Sequence, residues 1–75
     1  MSWNHRVVRL DNHLRIYDVY YDDGGRPISR HEAPTYVSGE TIEELREQLQ
    51  LLERAIALPV LNNEDIAQPG PPNVP

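Results

Sequence analysis

The stretch from Val37 to Val60, VSGETIEELREQLQLLERAIALPV, decides the fold because it predicts one amphipathic helix with a marked start and a marked end. Thr41 stands at the N-cap position and Glu44 follows three residues later, which is the capping-box pattern. Pro59 ends the helix, since proline donates no backbone hydrogen bond and restricts the residue before it. The predicted helix therefore covers about residues 42–57.

This helix carries an apolar stripe at alternating spacings of three and four residues, the pattern of a helix with one buried face. The stripe consists of Ile42, Leu45, Leu49, Leu52 and Ile56. A coiled coil normally needs three to four heptads, and this helix holds about two. We therefore expect most of the stripe to pack on a sheet formed by the rest of the chain.

The residues before the helix predict three strands joined by tight turns, because they are rich in β-branched and aromatic side chains. Asp11-Asn12 suits a tight hairpin, and the DDGG sequence at 22–25 suits a second turn. Pro27 lacks an amide proton, which favours an edge position for the third strand. The predicted strands cover 3–10, 13–21 and 26–33. The expected fold class is α+β, a three-stranded antiparallel β-meander followed by one amphipathic helix (β-β-β-α).

The sequence predicts one small domain over residues 1–61. Residues 62–75 are rich in proline and have no apolar period, so we expect them to form a disordered tail. The Pro-Val-Leu sequence at 59–61 is short and apolar, and whether 59–62 forms a fourth strand is left open.

Composition limits the classes of function. The chain has 75 residues and no cysteine, so it has a small core and no disulfide to support it, and oligomerisation is the usual remedy. Its net charge of −5 argues against a nucleic-acid partner. We see neither a secretory signal nor an apolar run of about 20 residues, and we expect a soluble cytoplasmic protein without a membrane partner.

Three segments resemble a family of small uncharacterised bacterial proteins: SWNHRVVR at the start, VYYDDGGRP in the second turn, and the terminal PVL. Members of that family open with Trp-Asn-x-Arg-Val, continue with a Val-Tyr-Tyr-Asp hairpin, and have a helix ending in Pro-Val-Leu. The resemblance covers about residues 2–61. It implies the strand-then-helix order and no assigned activity.

The segment APTYVSGETIEEL, residues 33–45, is similar to the start of the helix in HicB-like antitoxin domains. Those domains have a strand-rich half followed by a GDT-x-EE helix start. The resemblance implies a regulator that binds a partner protein. The DNA-binding segment that many such antitoxins carry after the helix is lacking here.

The candidate catalytic residues are His5, Asp18 and Ser29, which strand counting places in one row if Tyr21 pairs with Arg26. Asp18 would then separate His5 from Ser29, whereas a hydrolase needs the histidine between the other two. No glycine-rich nucleophile elbow accompanies Ser29. We therefore expect no catalytic residues and no enzyme.

The spacing of the candidate ligands and the distribution of charge bear on metal and nucleic-acid sites. The three histidines His5, His13 and His31 form no H-x-x-x-H pair, and DDGG lacks the spread of acidic ligands that a calcium loop needs. We expect no metal and no cofactor. Tyrosines interleaved with arginines are typical of single-strand binding platforms, but this half of the chain has no excess positive charge. Ordinary sheet packing explains them.

Both faces of the predicted sheet are apolar, and one short helix cannot cover two faces. Trp3, Val7, Leu14, Ile16 and Tyr20 collect on one face, and Val8, Leu10, Tyr17, Val19, Tyr21 and Ile28 on the other. Which face the helix covers is left open. An uncovered apolar face usually marks an association surface. The candidate interface residues are Trp3, Val7, Ile16, Tyr20, Tyr17 and Val19.

The sequence therefore predicts a non-enzymatic protein-interaction or assembly module that acts as a homodimer, joined through a sheet face or, as an alternative, through the edge of strand one. If the tail or residues 34–40 fold over the second face, no exposed sheet face is left for a dimer to use. An antitoxin-like regulator that binds a partner protein is the second hypothesis.

Overall fold

The fold is described by a computed structural model for residues 2–66 and for the backbone of residues 68–69. Its elements are β1 (Ser2–Leu10), β2 (His13–Tyr21), β3 (Pro27–Arg30), α1 (Ile42–Ile56), β4 (Leu61–Asn62), a 3-10 turn (Asn63–Asp65) and β5 (Gln68–Pro69). The predicted α+β class is confirmed. The sheet differs from the predicted three-stranded meander, since it has five strands in the order β4-β1-β2-β3-β5.

The β1–β2 hairpin forms in the predicted register, with Leu10 opposite His13 and Ser2 opposite Tyr21. Asp11 and Asn12 both adopt left-handed backbone conformations, with φ of 55° and 64°. Asparagine and aspartate tolerate this region better than other non-glycine residues. The two-residue turn therefore closes two full-length strands.

The second hairpin corrects the predicted register. Tyr21 lies opposite Pro27 instead of Arg26, and Tyr20 lies opposite Ser29 across an irregularity in the ladder. The turn accounts for the one-residue shift at Tyr21, because the Asp22 carboxylate accepts hydrogen bonds from two backbone amides of the turn, those of Gly24 and Arg26, each at 2.9 Å. This closed loop holds Arg26 out of the ladder. The irregularity between Tyr20 and Tyr21 adds the second residue.

The third strand is shorter than predicted and is not an edge strand. It ends at Arg30 instead of residue 33, and β5 pairs beside it through Ser29 and Arg30. Pro27 does not prevent this pairing, because the residues that pair with β5 lie beyond it. At the opposite edge, Leu61 of β4 pairs in parallel with Val8, so a short fourth strand does form.

The helix begins as predicted and ends at Ile56, one residue before the predicted end. The Thr41 hydroxyl accepts a hydrogen bond from the Glu44 amide at 3.0 Å. The Glu44 carboxylate accepts from the Glu40 amide at 2.9 Å, one residue before the cap itself. Both side chains thus satisfy backbone donors at the start of the helix, as a capping box does.

The two faces of the sheet have different covers. The helix packs against β1, where Val7, Leu52 and Ala55 are buried. On the other face Val8, Tyr17 and Val19 are buried together with Ile66 from the segment after β4. The helix therefore takes the face that carries Val7, and residues 61–66 cover the face that carries Val8.

This second cover corrects the predicted domain boundary. The prediction ended the domain at residue 61, yet Ile66 is a core residue and Asn63 accepts a 2.7 Å hydrogen bond from Arg30. The guanidinium of Arg30 lies 4.5 Å from the ring centre of Tyr17, a cation–π contact. Residues 67 and 70–75 of the predicted tail lie outside the described residues.

Candidate protein-interaction surface

The candidate catalytic row does not assemble. His5 Nδ1 lies 2.8 Å from Asp18 Oδ1, as the register predicts, but Ser29 lies opposite Tyr20 and not beside Asp18. Thr35 takes the place expected for Ser29, because its hydroxyl donates to the same Asp18 oxygen at 2.8 Å. The predicted alignment of Ser29 with Asp18 is therefore wrong, because the register of the second hairpin differs from the predicted one.

Thr35 was not singled out from the sequence. Its amide donates to the Ile16 carbonyl at 2.8 Å, which fastens the loop before α1 to β2 and places the hydroxyl over Asp18. No local pattern marks such a contact, since it depends on where β3 ends. The Thr35 hydroxyl donates its proton to a carboxylate. Within the described residues no hydrogen bond joins this hydroxyl to a histidine, the usual base for activating such a nucleophile. The group is best understood as a structural link between loop and sheet.

Ser29 is fully buried, and within the described residues its hydroxyl has no hydrogen-bond partner. A buried hydroxyl cannot meet a substrate, so Ser29 offers no catalytic function in this conformation. In the part of the chain that the structure describes, no three histidine, aspartate or glutamate side chains come together as a metal site. His5 lies on β1, His13 begins β2 and His31 follows β3.

One carboxyl has a perturbed pKa. The backbone amide of Arg26, which donates to Asp22, holds the pKa of that carboxyl below its ordinary value of 3.8, and the Gly24 amide acts in the same direction. Hydrogen bonds to the ionised form favour ionisation. The lowered pKa of Asp22 therefore reflects the structure of the turn, because the same two hydrogen bonds that lower it also close the loop.

The predicted interface residues divide by exposure. Val7, Tyr17 and Val19 are buried, whereas Ile16 and Tyr20 are half-buried. Trp3 is 56% exposed. An interface centred on Tyr17 and Val19 therefore has no accessible surface, because Ile66 and Leu61 pack on that face.

An aligned set of exposed apolar side chains lies instead on the helix. Ile42, Leu49 and Ile56 are 65%, 52% and 66% exposed, and they recur every seven residues. We call these three residues the outer stripe. The other members of the predicted stripe, Leu45 and Leu52, are half-buried and buried. The expectation that the stripe packs on the sheet is thus correct for two of its five members only.

A groove continues the outer stripe onto the sheet. Its volume is about 380 Å³, and it is lined by Val7, Leu14, Arg15, Ile16, Ile56 and Val60. Leu14 is 54% exposed at its mouth. The opposite flank of the helix forms a second groove of about 400 Å³ with Trp3, between Leu51 and Leu58. The helix thus covers the middle of its sheet face and leaves apolar side chains open on both sides.

Comparison with known proteins provides no further assignment: no protein-family model, no curated protein and no solved structure matches this chain. The resemblances to the small bacterial family and to HicB-like antitoxin domains therefore stay predictions. Within the described residues, no helix combines the length and the apolar character needed to cross a membrane.

Proposed function

We propose that the protein is a non-enzymatic protein-interaction module that acts as a homodimer. The observation that supports this proposal is the outer stripe: three large aliphatic side chains, each more than half exposed, aligned along one side of α1. Isolated exposed apolar residues are common on soluble proteins, but an aligned set that continues into an apolar groove is typical of an association surface.

The small core supports the same proposal. Among the described residues only seven hydrophobic side chains are buried, namely Val7, Val8, Tyr17, Val19, Leu52, Ala55 and Ile66. A chain of 75 residues without a cysteine has little else to stabilise it. Covering the outer stripe with a second copy adds buried apolar area without adding residues, which is how many small domains gain stability.

The proposal places no chemistry in the His5–Asp18–Thr35 cluster. Asp18 Oδ1 already accepts from Thr35 and contacts His5, and Trp3 packs edge-on against the His5 ring with 5.4 Å between ring centres. These contacts join β1, β2 and the loop before α1. Their role is to hold the sheet face on which the helix rests, which fits a binding module.

Sedimentation equilibrium tests the proposal on the full chain, from micromolar to millimolar concentration. We expect a reversible shift from the monomer mass of 8.6 kDa towards twice that mass as concentration rises. The melting temperature should rise with concentration as well, since only the folded state dimerises. A monomer at every concentration, with a constant melting temperature, would overturn the homodimer and leave association with a different protein as the function to test.

A further inference from the structure

We infer that two copies of the chain associate through antiparallel packing of their α1 helices, with Leu49 on the two-fold axis. This inference rests on the proposed homodimer and adds the surface and the orientation. The two-fold symmetry of the outer stripe suggests the geometry: Ile42 and Ile56 each lie seven residues from Leu49. An isologous interface needs a patch that is complementary to itself, and this spacing provides one.

The antiparallel register follows from that symmetry. With Leu49 opposite the partner's Leu49, Ile42 of each copy meets the partner's Ile56 at both ends of the contact. The stripe spans the 15 residues from Ile42 to Ile56, which is roughly 20 Å of helix. All three side chains of each copy are more than half exposed in the single chain, so each has surface that the partner can cover.

Charge beside the outer stripe selects the antiparallel orientation. Arg46 and Glu53 are both exposed on α1, three residues before and four residues after Leu49, and both lie on the side of the outer stripe that faces away from Leu52. Antiparallel packing about Leu49 brings Arg46 close to the partner's Glu53, within about one residue of helical rise, and it does so twice. Parallel packing would place the two Arg46 side chains on opposite sides of the interface, and the two Glu53 side chains likewise, so neither attractive pair would form.

The sheet beside the helix leaves room for the partner. Leu14 is exposed at the mouth of the groove that ends at Ile56, so a second helix lying along the outer stripe also covers this part of β2. The interface then joins helix to helix and helix to sheet. This additional contact matters because α1 holds only about two heptads, too few for an independent coiled coil.

Charge reversal tests the orientation. Arg46→Glu alone, or Glu53→Arg alone, should weaken the dimer roughly tenfold, because each change replaces two attractive pairs with two repulsive ones. The double variant, Arg46→Glu with Glu53→Arg, should recover most of the wild-type dissociation constant. Additive weakening in the double variant would overturn the proposed pairing, since independent surface effects do not compensate each other.

A second pair of variants tests the surface itself. Leu49→Glu should weaken the dimer at least a hundredfold, because it places two carboxylates together on the axis. Leu51→Glu is the matched control: Leu51 is 44% exposed on the opposite flank, so its dimer should keep the wild-type dissociation constant. Circular dichroism of each variant establishes that it is folded.

The outcomes separate the two proposals. A wild-type chain that stays monomeric removes the homodimer and this interface together. A wild-type chain that dimerises while Leu49→Glu has no effect preserves the homodimer and overturns the interface. A dimer that is lost in Leu51→Glu instead would place the contact on the Trp3 flank and contradict the inference.

Discussion

Asp22 shapes the second hairpin through two hydrogen bonds from backbone amides to one carboxylate oxygen. Because the Arg26 amide bond lowers the pKa of this carboxyl in the folded chain, the ionised form stabilises the fold. The contribution is fully present above the ordinary pKa of 3.8 and is lost as the pH falls through the lower, folded value. The turn should therefore weaken only in acid.

The variant Asp22→Asn tests this effect, since its amide oxygen keeps both acceptor positions and removes the charge. Urea unfolding of wild type and variant should show a smaller loss of stability for Asp22→Asn between about pH 5 and about pH 3. An NMR titration should place the pKa of the Asp22 carboxyl below 3.8. Equal pH dependence of the two chains, with an unshifted titration, would contradict the assigned role of the carboxylate.

At the same scale, the sequence predicted local hydrogen bonds better than long-range ones. Thr41 and Glu44 lie within one turn of helix, so spacing alone identified the cap. The pairing of His5 with Asp18 followed from the register of a two-residue hairpin, which leaves little freedom. The Thr35 contact with Asp18 and the position of Ser29 depended on the second hairpin. There the register moves by one residue at the Asp22 loop and by a second residue at the irregularity between Tyr20 and Tyr21.

At the scale of elements, the segment after β4 has the largest structural consequence. Residues 61–66 cover the face of the sheet that the helix leaves open, and Ile66 lies 6% exposed among Val8, Tyr17 and Val19. The sequence did not predict this role of Ile66. The proline-rich composition around it predicts disorder, and a single buried side chain produces no periodic pattern that would indicate an element. The two long strands β1 and β2 and the helix α1 were predictable, since each repeats its pattern over many residues.

Substitution of Ile66 measures how much this buried side chain contributes to the free energy of unfolding. We expect Ile66→Val to lower the free energy of unfolding by about 1 kcal/mol and Ile66→Ala by about 2–4 kcal/mol, because each removes buried methyl groups and leaves a cavity. Urea unfolding of the two variants provides the graded comparison. Losses below about 0.5 kcal/mol in both chains would show that the segment does not stabilise the sheet.

At the scale of the whole molecule, the helix covers one face of the sheet and residues 61–66 cover the other. This second cover removes one of the two sheet-face dimers that the sequence predicted, the one through Tyr17 and Val19, since both residues are already buried. Apolar surface remains, but it lies along the flanks of α1. The prediction of an association surface thus moves from the sheet to the outer stripe, Ile42, Leu49 and Ile56.

The absence of cysteine from the chain allows a direct measurement of this interface. A single cysteine introduced at Gln50 or at Glu43, both exposed on α1, carries a spin label for pulsed electron–electron double resonance between two copies. Antiparallel packing about Leu49 separates the two Gln50 labels along the helix axis by about 3 Å and the two Glu43 labels by about 18 Å.

The label distances therefore decide the central claim. We predict a dipolar signal from both labelled dimers, with a mean distance about 5 Å longer for the Glu43 label than for the Gln50 label, given similar lateral separations. Equal distances for the two labels would indicate parallel helices. Equal distances, or no intermolecular signal at millimolar concentration, would contradict an antiparallel dimer through the outer stripe.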